Sequence, residues 1–125
     1  MKRIVIFASG GGTNAENLIR FFHNSDNATV IQVLCNNPHA KVLDRAKKLQ
    51  VSALSFNKVA FTKTEDVLNI LKASRPDLIV LAGFLWKFPE NILHAFPNKV
   101  INVHPALLPN YGGKGMYGMH VHEAI

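Results

Sequence analysis

The sequence has 125 residues, 48% apolar and 18% charged, with a single cysteine, Cys35. That is the length of one domain, with enough apolar matter to bury a core, so disorder, a disulfide scaffold and a Cys-based zinc site are excluded. The net charge of +6 (14 Lys and Arg against 8 Asp and Glu) is dispersed without a basic run, which argues against a nucleic-acid surface; it reads first as a solvated surface with a modest positive field, whose better functional use is an anionic small molecule.

Residues 4–8, Ile-Val-Ile-Phe-Ala, form a continuous apolar run, the pattern of a strand covered on both faces. At five residues the run is shorter than the ~7–15 of a secretory signal core, and no stretch approaches the ~18 apolar residues of a membrane span. With one thiol and neither signal, a cytoplasmic protein without a membrane partner is expected. Ser9-Gly10-Gly11-Gly12 follows. A helix is then predicted behind a capping box at Thr13 and Glu16, with Ala15, Leu18, Ile19 and Phe22 on one face. Residues 29–35 read as a second strand, stopped by Asn36-Asn37-Pro38. Val42, Leu43, Ala46 and Leu49 have helical spacing, and residues 51–56 read as a short strand. A second capping box at Thr62 and Glu65 precedes Val67, Leu68 and Leu71, with Pro76 beyond the helix. Residues 78–82 are a buried strand ending at Gly83. A short helix is expected within 88–96 behind Pro89, and residues 100–103 form a fifth strand ending at His104-Pro105. Four glycines between 111 and 118 mark a mobile loop by composition.

Strands alternating with helices predict an α/β fold, a Rossmann-like parallel sheet with helices on both faces. Ligands of such sheets bind beyond the carboxyl ends of the strands. The segments to inspect are therefore 9–14, 36–38, 83–88 and 102–105.

In the first, Gly11, Gly12, Thr13 and Asn14 can present backbone and side-chain donors at a helix N-terminus, which suits a phosphate; the same glycines also suit a plain tight turn. Gly10, Gly12 and Ala15 match a dinucleotide fingerprint, but Asn36-Asn37 stand where a ribose-binding acid belongs, and no Walker A motif occurs. In the last, strand alternation puts Asn102 and His104 on one side. An amide to stabilise an oxyanion and an imidazole to move protons are what acyl transfer to an amine requires; Asn-x-His taken alone is equally compatible with a structural histidine. Leu85, Trp86, Lys87 and Phe88 form an apolar, aromatic segment that either packs in the core or holds a flat heterocycle. His120 and His122 lack a third metal ligand by spacing, so no metal is expected and the pair is read as lining or ordering the site.

Ser-Gly-Gly-Gly-Thr-Asn at 9–14, Leu-Ala-Gly-Phe at 81–84 and Asn-Val-His-Pro-Ala-Leu-Leu-Pro at 102–109, in this order, together resemble the phosphoribosylglycinamide formyltransferases, the folate-dependent GAR transformylases. The resemblance implies transfer of the formyl group of 10-formyltetrahydrofolate to the amine of glycinamide ribonucleotide, in purine biosynthesis. It implies Asn102 and His104 as catalytic residues, and Gly11, Gly12, Thr13 and Asn14 on the substrate phosphate. Gly83 and Pro105 would border the ribonucleotide, and Leu85, Trp86, Lys87 and Phe88 the folate. The implied partners are these two small molecules, acting on a monomer or homodimer. The family's catalytic trio includes an aspartate on a later loop. The only acid here beyond His104 is Glu123, so residues 1–125 are expected to be a single formyltransferase-like domain, the N-terminal part of a longer enzyme whose last strands are missing. The alternatives are a phosphate-binding module without turnover and a formyltetrahydrofolate deformylase. A nucleotide-dependent oxidoreductase is disfavoured by Asn36-Asn37.

Overall fold

A computed structural model of the chain describes residues 1–103 in full and the backbone of residues 119–122. The first apolar run becomes β1, Lys2–Ala8, in which Ile4 through Ala8 are buried on both faces. Helix α1 (Thr13–His23) returns the chain to β2 (Ala28–Cys35), and α2 (Lys41–Lys48) leads to β3 (Ser52–Ser55). A π-helical turn (Val59–Lys63) and α3 (Asp66–Ser74) precede β4 (Leu78–Ala82). A short α4 (Glu90–Ala95) leads to β5 (Val100–Val103), and β6 (Met119–His122) follows.

The strand order is β3-β2-β1-β4-β5-β6. β1 to β5 run parallel, and β6 is antiparallel to β5. The parallel sheet is thus as expected. The antiparallel edge strand was not predicted, because Met-His-Val-His has no apolar run and follows a glycine-rich segment.

Alternation along β1 divides the core in two. Ile4, Ile6 and Ala8 face one side, where Ala15 and Ile19 of α1 and Val42 and Ala46 of α2 close over them. Val5 and Phe7 face the other, under Val67, Leu68 and Leu71 of α3, Ile92 of α4 and Phe61 of the π-turn. The helical spacings read from the sequence thus become the faces that cover the sheet.

Neither capping box forms. α1 starts from Gly12, which has a left-handed backbone (φ 84°) and no side-chain cap, and Thr13 is already helical. The Glu16 carboxylate accepts instead from Arg20 Nε at 2.8 Å and Arg45 Nη1 at 2.6 Å. Thr62 lies inside the π-turn and donates to the Lys58 carbonyl at 2.8 Å, so α3 begins only after Glu65. In both places another hydrogen bond, from arginines to Glu16 and from Thr62 to the Lys58 carbonyl, takes up the side chain.

Candidate functional site

Two neighbouring strands change the direction of the chain. From β1 the sheet grows through β2 to β3 on one side and through β4 to β5 on the other. The crevice between the ends of β1 and β4 is therefore the topological switch point, where sheets of this type bind ligands.

The loop after β1 is shaped by its backbone. A Cβ on Gly12 would lie 2.5 Å from Val42 Cγ2 and 2.8 Å from Val42 Cα. Only glycine allows this positive φ together with this approach of α1 to α2. Around Gly10 and Gly11 a Cβ would meet nothing within 4 Å, so the space over the loop is open. The Val42 amide donates to the Gly10 carbonyl at 3.2 Å, fastening the loop to α2. The first amides of α1 have no acceptor within their own helix. They stand beside half-buried Asn14 and exposed Gly11 and Thr13, a set of donors suited to an anion.

The loop after β4 is shaped by side chains. Gly83 turns the chain with φ 73° and is exposed over open space. Phe84, Trp86 and Phe88 then turn back onto an aromatic cluster with Phe7, Phe56 and Phe61. Phe7 and Phe88 meet edge to face at 4.8 Å, and Phe56 and Trp86 at 6.0 Å. Phe88 is buried, so its ring belongs to the core and leaves only its backbone for a ligand. Leu85 is 83% exposed. Its amide is already engaged, donating to Ser9 Oγ at 2.9 Å. Trp86 is half-buried, and Lys58 Nζ sits 4.5 Å from its ring centroid. Lys87 is exposed.

The registers pair Phe7 with Leu81 and Leu81 with Asn102. These three residues form a row across β1, β4 and β5, on the face that carries the aromatic cluster. Asn102 is half-buried and, on its other side, lies opposite His120 of β6; His122 lies opposite Val100. His104 and Pro105 lie outside the described residues. The placement of His104 beside Asn102 therefore rests on strand alternation alone.

Two residues at this edge have roles that the sequence did not reveal. Ser9 is nearly buried, and its hydroxyl holds the neighbouring loop. Its signal was a polar residue closing a buried strand. Asn36 lies in the strand-end segment 36–38, and its sequence context gave it no role beyond disfavouring a dinucleotide. Its Oδ1 is buried with no hydrogen-bond partner among the described residues, an arrangement that costs free energy unless a ligand or water supplies a donor. Cys35, beside it, is fully buried, and that burial raises its thiol pKa, partly countered by its hydrogen bond with the Asn37 backbone.

A second charged region lies apart from these loops. A groove of about 530 Å³ runs between α1 and α2 past Glu16, Arg20, Lys41, Asp44, Arg45 and Lys48. None of its lining residues belongs to the strand-end segments. Its central carboxylate is held by two guanidinium groups, and hydrogen bonds from Arg20 and then Arg45 lower the Glu16 pKa. We assign it to the packing of α1 on α2. Among the described residues, no three His, Cys, Asp or Glu side chains converge as a metal site, and no helix is long and apolar enough to cross a membrane.

Comparison with known proteins agrees with this architecture. A family profile described as "Formyl transferase" matches residues 2–124. A phosphoribosylglycinamide formyltransferase of Bacillus subtilis (strain 168) is 33% identical over 120 residues, covering 90% of this chain and 60% of that protein. A chloroplastic phosphoribosylglycinamide formyltransferase of Arabidopsis thaliana is 32% identical over 130 residues, covering 99% of this chain and 44% of that protein. Among solved structures, glycinamide ribonucleotide transformylase 1 from Geobacillus kaustophilus superposes with a TM-score of 0.77 at 37% identity, over 91% of this chain and 63% of that one. The chain thus spans about half the length of the curated relatives it matches.

Proposed function

The chain belongs to the formyl transferase family, and from that premise we propose that it provides the substrate-binding half of a phosphoribosylglycinamide formyltransferase. The activity is formyl transfer from 10-formyltetrahydrofolate to the amine of glycinamide ribonucleotide. The observation that carries this reading is the meeting of the two loops at the switch point. One is an open glycine loop at a helix N-terminus, fit for a phosphate. The other is an aromatic, apolar loop fit for a flat heterocycle, with the Asn102 amide in the next strand.

In this reading Gly11, Gly12, Thr13 and Asn14 hold the phosphate, and Gly83 and Pro105 border the ribonucleotide. The pterin lies along residues 85–88, against exposed Leu85 and the edge of Trp86 and along the backbone of Lys87 and Phe88. The amine attacks the formyl carbon, and its C–N bond forms as the carbonyl becomes an oxyanion. Asn102 donates a hydrogen bond to that oxyanion. His104 takes the proton lost by the attacking amine and returns it to the folate nitrogen as the old C–N bond breaks. Formylated ribonucleotide and tetrahydrofolate are released. No metal enters this chemistry. The free, buried Cys35 suits a reducing compartment, and we place the protein in the cytoplasm.

The test is to supply 10-formyltetrahydrofolate with and without glycinamide ribonucleotide. Formyl transfer that requires the amine supports the reading. Formate release without the amine points to a deformylase, and binding of the ribonucleotide with no turnover points to a binding module. Where transfer is seen, His104→Ala should lower turnover by about 10²–10⁴-fold, the scale of general acid–base catalysis.

A further inference from the structure

We propose that the Ser9 hydroxyl is a positioning group that couples the two ligand loops, so that occupation of the phosphate loop tightens folate binding at residues 83–88. The inference rests on the functional reading above and adds a regulatory link within the same site.

Ser9 closes a strand whose preceding five residues are all buried, and it is itself 9% exposed. A hydroxyl placed there needs a partner. It accepts from the Leu85 amide at 2.9 Å, across 76 positions of sequence. Among the described residues this is the only hydrogen bond between residues 9–14 and residues 83–88. It spans the switch point between β1 and β4, so both loops share it.

The bond matters because the second loop has few other anchors near its start. Gly83 has a left-handed backbone over open space, and the Leu85 side chain is 83% exposed. Phe84 and Trp86 anchor their rings on the aromatic cluster, and the Leu85 amide between them donates to Ser9. On its other side, Ser9 is followed by Gly10, whose carbonyl accepts from the Val42 amide at 3.2 Å. A continuous chain of contacts therefore runs from α2 through the glycine loop to Leu85. An anion that draws the amides of 11–14 into place also settles Ser9 and the plane of the Leu85 amide. The second ligand then meets a loop that has already been ordered.

Trp86 is the chain's single tryptophan, so its fluorescence reports folate binding directly. Saturating glycinamide ribonucleotide should lower the Kd for tetrahydrofolate by about fivefold or more, and tetrahydrofolate should lower the ribonucleotide Kd by the same factor. In Ser9→Ala each ligand should still bind alone, with the coupling factor near one. Ser9→Thr, which keeps the hydroxyl, should retain the coupling. Coupling that survives in Ser9→Ala overturns the proposal. Should Ser9→Ala fail to fold, the wild-type protein decides: ribonucleotide alone should slow hydrogen exchange at the Leu85 amide, and unchanged exchange overturns the proposal. Wild-type protein that binds both ligands without coupling defeats this inference alone. Wild-type protein that binds neither defeats the functional reading beneath it.

Discussion

The loop after β1 and the loop after β4 lie side by side at the carboxyl end of the sheet, yet they are held in opposite ways. Residues 9–14 are held by main chain. Gly12 lies so close to Val42 that no side chain fits, and Gly10 bonds to α2 through its carbonyl. Residues 83–88 are held by rings, with Phe84, Trp86 and Phe88 resting on Phe7, Phe56 and Phe61. A loop held by its backbone offers its N–H groups to a ligand, which suits a phosphate of invariant shape. A loop held by apolar side chains can adjust by small ring movements, which suits a larger and less symmetric ligand.

The aromatic side should show the largest single effect. Phe7 is fully buried and touches four other rings. Phe7→Ala should cost about 3–5 kcal/mol of unfolding free energy, read by denaturant titration. Phe7→Leu, which leaves a smaller cavity, should cost less than Phe7→Ala if the cluster can close around it. Comparable losses for both would mean that this side is as rigid as the glycine loop.

Next comes Gly12→Ala, which combines a left-handed φ with a backbone clash at Val42. It should cost on the order of 3 kcal/mol. Gly11→Ala adds its methyl to open space and should change stability by within about 0.5 kcal/mol, while weakening ribonucleotide binding by filling the anion's place. Equal stability losses at the two glycines would contradict the steric account of this loop.

A smaller effect is expected at Lys58→Met, which keeps the apolar stem and removes the charge over Trp86. Loss of the cation–π contact should cost about 0.5–1 kcal/mol and shift the tryptophan emission. An unchanged spectrum would show that the lysine leaves the indole's surroundings unaltered.

The smallest effect belongs to the ion pairs behind the glycine loop. Arg20 and Arg45 hold the Glu16 pKa below its ordinary value, so the unfolded chain takes up this proton at a higher pH than the folded chain. The contribution of Glu16 is thus complete above the ordinary carboxylate range, about pH 4. It disappears as pH falls through the lowered folded value. Thermal melts of wild type and Glu16→Gln should differ near neutrality and converge in acid. A difference that persists at the lowest pH would assign Glu16 a role other than charge.

Local patterns sufficed for most of the elements. The apolar runs at 4–8 and 78–82 became β1 and β4, and the spacing of Ala15, Leu18, Ile19 and Phe22 became the inner face of α1. The capping boxes failed because Glu16 has arginine partners, one of them 29 residues away, and Thr62 has the Lys58 carbonyl. The glycine loop was legible as a candidate anion site because glycines before a helix carry that meaning locally. The tie from Ser9 to Leu85 was not, because its two ends are remote in the chain and meet only when β1 and β4 pair.

Composition and periodicity thus set the α/β class, the elements and the segments that end each strand, all consequences of how neighbouring residues share a face or a turn. Strand order, the switch point, the row from Phe7 through Leu81 to Asn102, and the burial of Phe88 in the core came from the assembled fold. Each depends on contacts between residues far apart in sequence, and no window of neighbouring residues contains that information.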